Sequence, residues 1–150
     1  MTVQVDVTTS RDPEPLDLSA FERLAHFVLA HEEVADAAEL SVAIVTIDEM
    51  ANLNERYRGK EGPTDVLSFS CDDPCVVSGD EPIALGDVII APEVALAQAG
   101  EFGTTVEAEL DLLLVHGILH LLGYDHESDG DADVMQARER MLLAAWADLG

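Results

Sequence analysis

Apolar and polar residues alternate at the start of the chain, where Val3, Val5 and Val7 are separated by polar residues. A period of two is the pattern of a strand with one buried face. Arg11 to Pro15 then forms a charged, proline-bearing loop. Ser19, with Glu22 three residues later, is a capping-box pattern that opens a helix to about His31, with Phe21, Leu24 and Val28 on its apolar face. Leu40 to Ile47 is rich in Val and Ile and predicts a second strand. Asp48 is suited to cap a short helix that ends near Arg58, where Gly59 stops it. Val66 to Phe69 and Ala84 to Ile90 predict two more strands, separated by an acidic loop from Cys71 to Pro82. Pro92 fits the first turn of the following helix. Thr104 with Glu107 caps a long helix to about Leu122, ended by Gly123. Ser128 to Asp133 reads as an acidic link and Val134 to Leu149 as a last amphipathic helix. The mixture without strict alternation predicts an α+β fold, a small mixed sheet of about four strands covered by about five helices.

Composition adds a constraint. The 150 residues are expected to form one domain, residues 1–150, burying roughly 70% of the unfolded surface. Seven Lys and Arg against 31 Asp and Glu give a formal charge of −24, far beyond the roughly 2–8 charges usual for a small domain. A hydrophobic content of 48% excludes a disordered acidic tail. The acidity counts against an ordinary nucleic-acid binder, whose footprint is a basic face. Leu110 to Leu122 is the greasiest stretch, but it holds two histidines and an aspartate and is shorter than the about 20 residues a membrane span needs. The N-terminus has no basic region followed by an apolar one, so the expected location is cytoplasmic. Cys71 and Cys75 form neither a disulfide framework nor a complete zinc site and are expected to be reduced.

The chemistry concentrates between His116 and His126. His116 and His120 stand four apart on a predicted helix, so they share a face one turn apart and can reach one metal ion. Gly123 lets the chain turn back, and His126 follows closely enough to supply a third ligand. Three histidines with an open fourth position describe a catalytic rather than a structural zinc site. The alternative for the pair alone is two hydrogen-bonded core histidines. His26 and His31, on the first helix, read as surface or capping residues. In zincin proteases a glutamate follows the first histidine as general base. Here that residue is Gly117. It does no acid–base work, and it costs a helix about 1 kcal/mol relative to alanine, so it reads as a point of close approach.

Two blocks carry a family likeness. HGILHLLGYDH, from His116 to His126, resembles the pattern H-G-x-L-H-L-x-G-Y-D-H of the YbeY family, bacterial metal-dependent endoribonucleases of ribosomal RNA maturation. LNERYRGKEGPTDVLSF, from Leu53 to Phe69, resembles that family's L-N-x-x-Y-R-x-x-x-x-P-T-D-V-L-S-F. Leu85 to Ile90 resembles a weaker third block. The resemblance implies a zincin-like fold with the metal site on a long central helix, and His116, His120 and His126 as ligands of one zinc ion (Zn2+). It also implies a functional role for Arg58. The implied activity is endonucleolytic cleavage of single-stranded segments in maturation and quality control of small-subunit ribosomal RNA. The implied partners are ribosomal RNA and the small subunit or a basic ribosomal protein, with no membrane and no DNA. The acidic stretch from Ser70 to Glu81 departs from the pattern, since relatives are expected to carry a proline soon after the strand.

Arg58 offers a permanent charge and a planar fork of donors suited to phosphate. The alternative is a solvated cation at a helix end. Asp125 is either an orienting partner for an imidazole or a turn residue. Thr64, Asp65 and Ser68 either line the cleft or, for the first two, form a turn. The attacking group is either a metal-activated water or the ribose 2′-hydroxyl. Two rivals stand beside the nuclease: a peptide or amide hydrolase, which the missing glutamate disfavours, and a metal-binding ribosome-assembly factor without catalysis. Three of the seven cations, Arg56, Arg58 and Lys60, fall within five residues, so the net charge does not exclude a small local site for RNA.

Overall fold

The structure is a computed structural model that describes residues 4–9, 17–34, 38–71, 83–124 and 128–149. The described residues form β1 (Gln4–Thr9), α1 (Leu18–His31), β2 (Ala38–Ile44), α2 (Ile47–Arg58), β3 (Val66–Ser70), β4 (Ile83–Ile90), α3 (Pro92–Phe102), α4 (Val106–Leu121) and α5 (Asp129–Leu149). This is the expected α+β mixture, with four strands and five helices among the described residues. Val3, the Arg11–Pro15 loop and the Cys71–Pro82 loop beyond Cys71 lie outside the described residues.

The elements stand where the periodicity put them, but several caps are displaced. Asp17, not Ser19, caps α1 and accepts from the Ala20 N–H. Thr46, not Asp48, caps α2, and Thr105, not Thr104, caps α4. In each case the residue used is the one just before the first helical turn, where a side-chain oxygen reaches the third amide onward. The expected strand to Ile47 stops at Ile44, because Thr46 opens a helix that already includes Ile47. The acidic stretch after Ser128 is not a link. Ser128 Oγ accepts from the Asp131 N–H, its carbonyl accepts from the Ala132 N–H, and α5 begins at Asp129.

The sheet order is β1-β2-β4-β3. β1, β2 and β4 are parallel, and β3 runs antiparallel to β4 as an edge strand. Its register sets Ser68 opposite Val88 and Ser70 opposite Gly86. Gly86, at φ +140°, has no room for a side chain: a Cβ there would stand 2.1 Å from the Phe69 carbonyl oxygen.

Alternation along the strands sorts side chains to two faces. On one, Leu40, Val42, Ile44, Leu85, Val88 and Ile90 pack with Leu24, Val28 and Leu29 of α1, and with Leu114, Ile118 and Leu121 of α4. On the other, Leu67 packs with Met50 of α2, Val45 and Ala91, with Leu53, Phe69 and Ile89 alongside. Helix α4 is buried on most sides, contacting β3, β4, α1, α3 and α5. A helix apolar nearly all round belongs in such a position, which explains why its sequence is greasy without being a membrane span. No helix among the described residues is long and apolar enough to cross a membrane.

Candidate functional site

His116 and His120 occupy successive turns of α4, both half-buried. Their ring centroids are 5.0 Å apart and the rings stand nearly perpendicular, at 87°. The i,i+4 spacing therefore brings the two imidazoles together, as the pattern required. His126, the third ligand implied by resemblance, lies outside the described residues, as does Asp125. Among the described residues no group of three His, Cys, Asp or Glu side chains converges on one point.

The position of the pair depends on Gly117. A Cβ on Gly117 would stand 2.6 Å from Val88 Cγ1 and 3.2 Å from Ser68 Oγ. Ser68 and Val88 are the cross-strand partners named above, so helix and sheet touch where a side chain is missing. Ser68 Oγ donates to the Gly117 carbonyl at 3.2 Å. The glycine that replaces the protease glutamate is thus a packing requirement, and the close approach is to the sheet. Ser68, expected at the cleft, lies in β3 and ties that strand to the histidine helix.

A carboxylate missing from the sequence reading completes the described part of the site. Glu139 of α5 is 7% exposed, and its Oε1 lies 2.5 Å from His116 Nδ1. A buried carboxylate without a donor is costly, and His116 Nδ1 is the ring nitrogen within hydrogen-bond reach of it. The sequence contained a usable signal: Met135, Glu139 and Leu142 follow a four- then three-residue spacing, and the flanking two are fully buried. A charged residue in an apolar stripe calls for a partner.

Arg58 is the last residue of α2 and is exposed. Gly59 follows in the left-handed conformation, φ +66°, and closes the helix. Buried Asn54 donates from Nδ2 to the Gly62 carbonyl at 2.8 Å, and its own carbonyl accepts from the Lys60 N–H, which folds the next segment back on the helix. Tyr57 sets its ring edge-on to Phe69 at 5.4 Å. Arg56, Arg58 and Lys60 are exposed, and none makes an ion pair among the described residues. Leu67 and Phe69 face α2 while Ser68 faces α4, so the helix that ends at Arg58 and the histidine helix pack on opposite faces of edge strand β3. No hydrogen bond among the described residues joins Arg58 to either histidine. Asp65 Oδ1 accepts from the Val66 N–H at 2.8 Å and from Thr64 Oγ1 at 3.3 Å, which orders the entry to β3. His26 lies 4.0 Å from Glu22 and exposed His31 packs on Phe27, both on α1.

The fold and this site define a class: an α+β protein whose central helix presents a histidine pair, backed by a buried carboxylate, beside an edge strand. The chain belongs to the family described as Endoribonuclease YbeY, whose sequence model matches residues 6–147. It is 41% identical over 150 residues to the Endoribonuclease YbeY of Bacillus licheniformis, covering 95% of this chain and 94% of that one. It is 45% identical over 139 residues to that of Salinispora tropica, covering 87% and 88%. The solution structure of TM1509 from Thermotoga maritima superposes with a TM-score of 0.63 at 26% identity, over 96% of this chain and 92% of that one.

Proposed function

We propose that this chain is a zinc-dependent endoribonuclease that acts on single-stranded segments of small-subunit ribosomal RNA, in its maturation and quality control, in the cytoplasm. The observation that carries the proposal is the perpendicular His116–His120 pair one turn apart, with Glu139 on His116 Nδ1. Imidazoles aimed by a carboxylate fit a first-row metal ion better than two satisfied core histidines. The family relatives named Endoribonuclease YbeY support the nuclease reading.

In this reading His116 and His120 hold the ion, with His126 as the third ligand. A zinc ion held by these residues would supply a Lewis acid and lower the pKa of a bound water to about 7. Glu139 holds the proton at His116 Nδ1. Arg58 binds a phosphate oxygen of the RNA, where its fork of donors and permanent charge offset the negative charge that grows during cleavage. No carboxylate follows His116, so the residues lack the usual proton acceptor of zincin peptidases.

The charge distribution supports a narrow site. Arg56, Arg58 and Lys60 gather at one helix end on a body of formal charge −24. Screening over about 8–10 Å lets that local charge govern docking at physiological salt, while the acidic body keeps non-specific RNA binding weak. A basic ribosomal protein on the small subunit is the partner that would bring the RNA close. Neither DNA nor a membrane is expected as a partner.

The test compares metal-quantified wild type, His116→Ala and Arg58→Ala on structured ribosomal RNA and on a peptide library. The expected result is RNA cleavage lost in both variants, with Arg58→Ala keeping its metal and fold. Cleavage that survives His116→Ala would overturn the proposal, as would peptide hydrolysis by the wild type. Zinc and RNA binding without any cleavage would point instead to an assembly factor.

A further inference from the structure

We infer that Glu139 is a positioning residue, one that sets the tautomer of His116 and thereby aims its Nε2 at the metal; this rests on the zinc reading above.

Three observations lead there. The first is contact: Oε1 stands 2.5 Å from His116 Nδ1, so the buried carboxylate and this ring nitrogen are hydrogen-bond partners. The second is place. Glu139 sits between Met135, 1% exposed, and Leu142, 0% exposed, on the buried stripe of α5. An apolar side chain would fill that position without the cost of desolvating a charge. The third is rigidity. The preceding residue, Arg138, donates from Nε to Glu32 Oε2 at 2.8 Å, and its Nη2 pairs with the same oxygen. Glu32 is the C-cap residue of α1, with a side chain only 6% exposed.

Consecutive residues of α5 therefore have separate tasks. Arg138 locks the helix to the end of α1, and that lock sets the rotation at which Glu139 meets α4. A ring nitrogen that donates to carboxylate leaves the other nitrogen as the ligand atom, and the carboxylate raises its basicity.

The experiment uses the full chain as wild type, Glu139→Gln and Glu139→Leu. Long-range proton–nitrogen spectra of the imidazoles are recorded on metal-free protein above the ordinary imidazole titration range. Zinc affinity is measured by competition with a chromophoric chelator, and folding is checked by thermal melting. The wild type is expected to show His116 protonated at Nδ1, and both variants to lose that preference. Zinc affinity is expected to fall about 10–100-fold in both, with melting held or raised in Glu139→Leu. A purely structural pair would instead lower the melting temperature and leave the affinity of folded protein alone. An Nε2-protonated His116 in the wild type, or unchanged zinc affinity in both variants, would overturn the inference. Failure of the wild type to bind zinc would overturn the metal reading itself, while the tautomer measured on metal-free protein still decides whether Glu139 sets the ring.

Discussion

His116 and Arg58 belong to the two most diagnostic sequence blocks, yet the fold treats them in opposite ways. His116 lies on a helix packed on most sides, with a buried carboxylate on one ring nitrogen and the next residue pressed against Val88. Arg58 stands on an exposed helix end, tied down only through its neighbours: Tyr57 rests on Phe69 and Asn54 holds the following segment. The difference is physically sensible. A metal ligand must be aimed within a few tenths of an ångström, which buried partners provide. A phosphate-binding cation must meet a moving, hydrated chain, and an exposed arginine keeps the reach to do so.

Substitutions can break that contrast. The largest effect is expected for His120→Ala: zinc content falls, and RNA cleavage drops about a thousandfold or more, since a metal Lewis acid contributes several kcal/mol. Metal analysis with single-turnover cleavage reads both. Arg58→Ala comes next, with cleavage down about a hundredfold at unchanged zinc content and stability within about 0.5 kcal/mol of wild type. Arg58→Lys should recover only part of the loss, because a point charge replaces a bidentate fork. A loss of zinc in Arg58→Ala would erase the distinction between the two regions.

Gly117→Ala tests the packed side in a different way. Alanine favours the helix by about 1 kcal/mol, but overpacking typically costs about 1–3 kcal/mol. Val88 is fully buried and stiff, so the clash should win, and denaturant unfolding should show a net loss of about 1–2 kcal/mol. Adding Val88→Ala should relieve part of the clash, which a double-mutant cycle would report as coupling.

The smallest effect is expected at Asp111, at the other end of α4. It borders a cavity of about 300 Å³ with Asp17, Phe21 and Glu107. Burial, with a smaller contribution from Glu107, holds its carboxyl above the ordinary value of 3.8. The folded state therefore binds this proton more tightly than the unfolded chain. Stability contributed by the protonated form is lost as pH rises from the ordinary value through the folded one. Asp111→Asn should raise the melting temperature at neutral pH, and the gain should vanish on acidification below the ordinary value. An equal gain at both ends of that pH range would sink this explanation.

Local signals were readable where chemistry is local. Alternation located the strands, Gly59 located the end of α2, and the four-residue spacing located the histidine pair. Cap identities were less legible, since Asp17, Thr46 and Thr105 each compete with a second plausible residue close by. In α5 the acidic run from Ser128 to Asp133 looked like a link, because charge was read ahead of capping. Asp125 read equally as an orienting partner for an imidazole or a turn residue, and it lies outside the described residues; the carboxylate in contact with His116 is 23 residues away from it in sequence.

By itself the sequence determined the class of the fold and the family, and it singled out the candidate ligands and the candidate phosphate binder, because period, residue type and short spacing are properties of neighbouring positions. Only the tertiary structure decided what surrounds them: that Gly117 is absent side chain for Val88 and Ser68, that Glu139 faces His116, and that α2, which ends at Arg58, packs on the face of β3 opposite Ser68. Those are contacts between elements far apart in the chain. Their geometry follows from strand register and helix rotation, which are settled when the whole core packs.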